Sequence, residues 1–249
     1  MAREASHKNL PFSLCKKQGG RSNRTPDQEK GYPARRSPKS IGKRVFRMRE
    51  IVIPQAPGKD FVHFLGIHGL EEWEGRFSRY DEETYLAVLE RVGPEDVVIE
   101  IGAGDLYLAL RVAQQARRIY AVEVNPLLVA ASLVAIGFSL PRNLQVVCAN
   151  ALDFPLPPDV TMAILLMRHC QHFGEYFDRL QVGGCRWLLT NARWKCGVEA
   201  IDLQAPRIPF DQVNEGWYAC RCGAIGYVGT GTGVNTSPWE VANCPHCNA

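Results

Sequence analysis

An α/β fold with a mostly parallel sheet covered by helices is what this sequence predicts, and three observations predict it. Short apolar runs of strand length recur through the middle of the chain, at residues 97–101, 119–124, 144–148, 160–167 and 185–190. Segments of helical apolar spacing lie between most of them, the pattern of strands joined by crossover helices. The 249 residues, 46% of them hydrophobic, suffice for one full core and a small appendage.

The elements follow in order. Residues 1–44 are rich in Lys, Arg, Ser, Gly, Pro and Gln, and read as a disordered basic leader. Residues 1–50 carry fourteen Lys or Arg against four acidic groups, whereas the remainder carries fifteen against twenty-two. The net charge of +3 therefore averages a basic tail and an acidic body. Only the tail invites nucleic acid or an anionic surface; the plainer reading is a solubilising leader. Residues 45–53 have the apolar content of a first strand, and 61–70 read as a loop or short strand holding His63, His68, Gly66 and Gly69. Asp81 then caps a helix with Glu82 and Glu83 in its first turn, stopped by Gly93-Pro94. Helices are expected at 106–116, 126–136 and 169–180, and an edge strand at 198–203. The main domain is thus bounded at 45–209. Residues 210–249 form an appendage whose segment 216–228 reads as a hairpin.

Compartment is bounded by what the chain lacks. No apolar run reaches eighteen residues, and the first twenty carry no secretory signal pattern. The tail's Pro and Gly content argues against an amphipathic transit helix. Nine cysteines, only the last four paired at short spacing, favour a reducing cytoplasm and a local metal site over a disulfide framework.

Chemistry concentrates where the first strand ends. Glu100-Ile101-Gly102-Ala103-Gly104-Asp105 leaves a strand and opens a helix, and its glycines let a ligand approach the backbone. Glu123 ends the next strand, where a carboxylate accepts both hydroxyls of a ribose. A dinucleotide turn wants a third glycine, but Tyr107 occupies that place. A pyrophosphate beside Glu100 and Asp105 would also be repelled. S-adenosylmethionine (SAM) has no phosphate and carries an ammonium and a sulfonium, so the acidity of the loop favours it over a nicotinamide dinucleotide.

The runs 97–105 and 119–126 resemble the first two motifs of class I SAM-dependent methyltransferases, nearest in texture to the rRNA adenine dimethylase branch. The resemblance covers about residues 80–190. It implies a Rossmann-like domain, with Glu100, Gly102 and Gly104 on the methionine side and Glu123 on the ribose. It also implies that Asn150, or else Asp153, reads the adenine amino group. Two departures stand out. Leu106 sits where the family has a third glycine, and Leu166-Met167-Arg168-His169-Cys170 replaces the Asn-Pro-Pro-Tyr type clamp of the adenine methylases.

Methyl transfer asks the protein mainly for alignment, with a base where the acceptor must lose a proton. Residues after the fourth and fifth strands are the candidates: Arg168, His169 and His172, then Asn191, Arg193 and Trp194. His169 reads as a base, or as the cap of the helix beginning there; Arg168 reads as an anion anchor. Cys170 is a nucleophile or, more plainly, core.

Cys220, Cys222, Cys244 and Cys247 supply four thiolates from two turns, the count for structural tetrahedral zinc. Gly223 and Pro245 shape the two knuckles of a zinc-ribbon-like hairpin, although one intervening residue in the first pair departs from the usual two. Arg221 is the only basic residue from 216 to 249, which argues against a phosphate-binding face. The expectation is a SAM-dependent methyltransferase acting on a small molecule, RNA or protein. Its rival is a non-catalytic SAM-binding or assembly protein engaging a partner through the leader or appendage.

Overall fold

The computed structural model describes residues 79–230 and 237–247. The basic leader, the expected strand at 45–53, the histidine loop near His68 and Trp73 lie outside the described residues.

Local chemistry starts the fold. Helix α1 (Glu82–Leu89) begins where the Asp81 carboxylate accepts from the Thr84 amide at 2.8 Å, with Glu82 and Glu83 at the positive end of the helix dipole. Strand β1 (Val97–Ile101) follows and is buried throughout. Then come α2 (Tyr107–Val112), β2 (Arg118–Glu123), α3 (Pro126–Ile136), β3 (Leu144–Cys148), β4 (Met162–Leu165), α4 (Phe173–Val182), β5 (Trp187–Thr190) and β6 (Glu199–Asp202).

The six strands make one sheet in the order β3-β2-β1-β4-β5-β6. All pairings are parallel except β5 with β6, which is antiparallel. Strand alternation sorts the apolar residues onto two faces. Val98, Ala121, Met162, Ile164 and Leu189 pack with α1 and α2. Ile99, Ile101, Val122, Ala163, Leu165 and Leu188 pack with α4 through Phe173, Tyr176, Phe177 and Leu180, spaced for one helix stripe. The chain moves outward from β1 to β3 and returns to the other side of β1 at β4. That reversal leaves a crevice at the carboxyl ends of β1 and β4.

Two helix starts differ from expectation. The helix expected from residue 106 begins at Tyr107, because Leu106 takes a left-handed conformation (φ 63°), and it ends at Val112. A non-glycine residue there costs about 1–2 kcal/mol. Complete burial among Val98, Ala109 and Ala121 offsets it. The helix expected from residue 169 begins at Phe173, preceded by His172, so His169 does not cap it.

The appendage contains the expected hairpin, β7 (Gly216–Cys220) with β8 (Ile225–Val228). A strand absent from the sequence reading, β9 (Trp239–Val241), pairs parallel to β7 and makes the sheet three-stranded. Arg193 joins this sheet to the main one. Its side chain is 1% exposed and grips Glu199 on β6 (2.9 and 2.6 Å) and Glu240 on β9 (2.8 and 2.7 Å). Trp194 meets Trp217 edge to face beside it. Arg193 is thus a structural clamp and not a member of the sheet-edge chemistry. Replacing it with Met leaves two carboxylates facing each other without a cation. Arg193→Met should lower unfolding free energy by about 3–5 kcal/mol, with partial recovery when Glu199→Gln and Glu240→Gln are added; calorimetric melting checks both.

Candidate functional site

The crevice at the β1–β4 reversal opens into a cavity of about 480 Å³. Its floor is the turn after β1. Gly102 (φ 73°) and Gly104 (φ 57°) both take the left-handed conformation that excludes most side chains. The Gly102 and Ala103 amides donate to the Val122 carbonyl at 2.9 and 3.0 Å, which welds the turn to the end of β2. Met167 lies alongside Gly102 without filling the cavity.

Glu123 organises the next layer. One carboxylate oxygen accepts from the Gly104 amide at 2.8 Å and the other from the Asn125 amide at 2.9 Å. The carboxylate retains accepting capacity for a ligand, since each oxygen has a further lone pair. Burial pushes its pKa up, and these amide bonds oppose the rise. Asn125 in turn caps α3, its side-chain oxygen accepting from Leu127 and Leu128 amides, with Pro126 at the first helical position.

Three further carboxyls line the cavity, Asp81 and the buried Asp105 and Glu100. Asp105, 2% exposed, is ion-paired to Arg79 and accepts from the Tyr107 amide at 3.1 Å. Glu100 is 6% exposed, and its Oε2 has no hydrogen-bond partner. Burial, then the neighbouring Asp105 and Glu123, hold its carboxyl well above the ordinary range.

The other sequence-predicted residues fall in two places. Gly102, Asn150, Arg168 and His169 line the cavity with Glu100 and Glu123; Gly104 lies behind the lining in the same turn, and Asp153 is exposed and lies outside the wall. The Asn150 side-chain oxygen accepts from the Leu152 amide at 3.0 Å, so one of its two lone pairs is engaged. Arg168 is drawn aside at the mouth, 3.9 Å from Asp81 and over the Tyr80 ring. His172 pairs with Glu175 at 2.9 Å. Asn191 is buried away from the lining, with neither side-chain amide atom hydrogen-bonded. Leu106 does not narrow the cavity, because its side chain is in the core. Arg79 and Tyr85 were not foreseen as wall residues. Arg79 pairs across twenty-six positions with Asp105, and no local motif marks it.

A second constellation sits in the appendage. The sulfurs of Cys220, Cys222, Cys244 and Cys247 all lie within 4.8 Å of one another. Three separations are 3.5 Å (Cys220–Cys247), 3.6 Å (Cys222–Cys244) and 3.8 Å (Cys244–Cys247). A tetrahedron with metal–sulfur bonds of about 2.3 Å has edges of about 3.8 Å, so the four thiols can chelate one metal ion. The contact between Cys220 and Cys222 lowers the Cys222 thiol and raises that of Cys220, so the pair shares a proton that a bound metal would displace. Gly223 (φ 96°) turns the first knuckle, and its amide donates to the Cys220 carbonyl at 3.0 Å. Seven of the described cysteines are free thiols, these four among them. None of the helices in the described residues is long and apolar enough to cross a membrane.

No family model matches the chain. Over 72 residues it is 38% identical to a probable ribosomal RNA small subunit methyltransferase A of Methanosarcina acetivorans, covering 28% of this chain and 26% of that protein. The same-named protein of Methanosarcina mazei is 39% identical over 72 residues, covering 28% and 26%. The chain therefore spans about a quarter of the length of the curated relatives it matches. Among solved structures, the 23S rRNA methyltransferase ErmE overlaps 46% of this chain and 47% of its own, at 22% identity and a TM-score of 0.41. The sequence similarity links this chain to the SAM methyltransferases at the level of the superfamily.

The Glu123 bridge carries a measurable load. Glu123→Ala strips the acceptor from two backbone donors and should cost about 2–4 kcal/mol, read as a lower urea midpoint. Glu123→Gln, which keeps an acceptor for one of them, should lose less.

Proposed function

We propose that the chain is a SAM-dependent methyltransferase whose acceptor enters over the mouth formed by Arg168 and His169. The observation that carries this reading is the charge of the cavity: among the described residues four carboxyls, Asp81, Glu100, Asp105 and Glu123, line it against two arginines, Arg79, paired to Asp105, and Arg168, 3.9 Å from Asp81. A phosphate-bearing nucleotide is repelled there, whereas a nucleoside with an ammonium and a sulfonium is attracted. When bound, SAM supplies an electrophilic methyl group.

The chain's own residues do the remainder. Glu123 accepts from the ribose hydroxyls through its free lone pairs, and the left-handed glycines let that nucleoside lie against the backbone. Asn150, with its uncommitted amide hydrogens and remaining lone pair, faces the base; the exposed Asp153 is the other candidate. Glu100 and Asp105 hold the cationic end. His169, exposed at the rim, is placed to take a proton from the acceptor, and Arg168 to anchor an anionic part of it once released from Asp81. Zinc in the four-thiolate site would leave no coordination position open, so its role is structural.

The absence of the adenine-methylase clamp at residues 166–170 supports a second reading, a SAM-binding or assembly protein without transferase activity. Two measurements decide. Titration calorimetry should give binding with SAM and with S-adenosylhomocysteine, and none with NAD; no heat with the first two removes both readings. Labelled methyl from SAM should then pass into one fraction of a cell extract divided into RNA, protein and small molecules. Binding without transfer leaves the second reading.

Metal analysis should find about one zinc per chain. Cys244→Ser should lose it and melt at lower temperature, as should the parent chain after chelation.

A further inference from the structure

The three buried carboxyls of the cavity are not equivalent, and the difference has a chemical consequence. Asp105 has Arg79 as counter-ion and the Tyr107 amide as donor. Glu123 has two backbone donors, which favour its ionised form. Glu100 is 6% exposed, against 2% for Asp105 and 8% for Glu123, lines the same cavity, and among the described residues has no ion-pair partner and no donor on Oε2. An ionised carboxylate in that position is opposed by desolvation and by two like charges.

We propose that Glu100 is the proton-exchanging counter-ion of this cavity, protonated in the empty protein and ionised when a cationic ligand enters. The balance is simple. Glu100 loses one proton to solvent, the ligand cation keeps its own charge, and an ion pair replaces the neutral acid. Binding and deprotonation become one event, so affinity for a cation reports on pH. The inference rests on the reading that the cavity receives SAM or a similarly cationic nucleoside.

Other titratable and charged groups face the same space. Tyr85 of α1 is pushed up to about 12 by burial and stays neutral. Arg79 and Asp81 precede α1, Arg168 and His169 follow β4, and His172 precedes α4. A protonated imidazole would also leave its proton on the approach of a cation, and the variants below separate that source from Glu100.

The sign follows from linkage. Glu100 in the empty cavity has the higher pKa and in the complex the lower one. Affinity is weakest below both values, rises between them by up to about tenfold per pH unit, and is flat above the higher one. The experiment is titration calorimetry with SAM in phosphate and in Tris at several values between about pH 5 and pH 8, where buffer heat reports protons released. The expected result is release of more than about half a proton per ligand somewhere in that range, with the apparent Kd falling as pH rises. Glu100→Gln should abolish the release, whereas His169→Gln and His172→Gln should keep it. Binding whose enthalpy is the same in both buffers throughout overturns the proposal and leaves the ligand reading intact. Release that vanishes in either histidine variant, or persists in Glu100→Gln, also overturns it. Should Glu100→Gln fail to fold, the parent chain and the histidine variants still decide. Failure of SAM to bind in either buffer overturns the ligand reading and this inference together.

Discussion

One carboxylate holds the sheet edge together. Glu123 reaches from the end of β2 to the Gly104 amide in the turn after β1 and to the Asn125 amide at the start of α3. Each of these donors would otherwise lie unsatisfied in a half-dry crevice. By satisfying both, it fixes the glycine turn and the helix that follows β2 relative to each other, and so sets the width of the cavity. Its oxygens also keep lone pairs for a ligand on the cavity wall beside that turn. The same group therefore builds the site and presents it.

Much of this architecture was legible because burial on both faces of a parallel sheet demands apolar runs. Val97-Val98-Ile99 and Met162-Ala163-Ile164-Leu165 announce themselves in that way. The Asp81 cap was readable from side-chain chemistry next to a helix. What escaped depends on partners distant in the chain. Strand β9 is three residues in a polar stretch, and it exists because β7 offers an edge and Arg193 draws in Glu240 from forty-seven positions away. The start of α2 was misplaced because the handedness of Leu106 is set by its surroundings and not by its identity. Within the site, the glycines and acids of the turn were legible from local spacing. Arg79 was not, since nothing near it in sequence reveals that Asp105 will fold back onto it.

The two constellations share a wall. Tyr176 of helix α4 and the His172 that precedes the helix line the cavity, and the helix's first turn packs against the thiol knuckle. A Cβ on Gly174 would meet the Cys222 backbone at 3.3 Å, and one on Gly223 would meet Phe173 at 3.1 Å. Arg221 adds an ion pair to Asp178 on the same helix. The appendage thus braces the helix that closes one side of the crevice, and the Arg193 clamp braces the opposite end of the contact. Gathering four thiols around one metal position is a way for a small three-stranded sheet, with little apolar area of its own, to stay rigid enough for that work.

Leu106 gives this site a different temperament from one with a glycine there. A glycine at that point would leave the turn free to sample many shapes, and a visiting nucleoside would have to still that motion on arrival. A leucine keyed into the hydrophobic interior settles the matter when the chain first folds. The receptor is accordingly set before its guest arrives, and the entropy of ordering this corner falls on folding instead of on recognition.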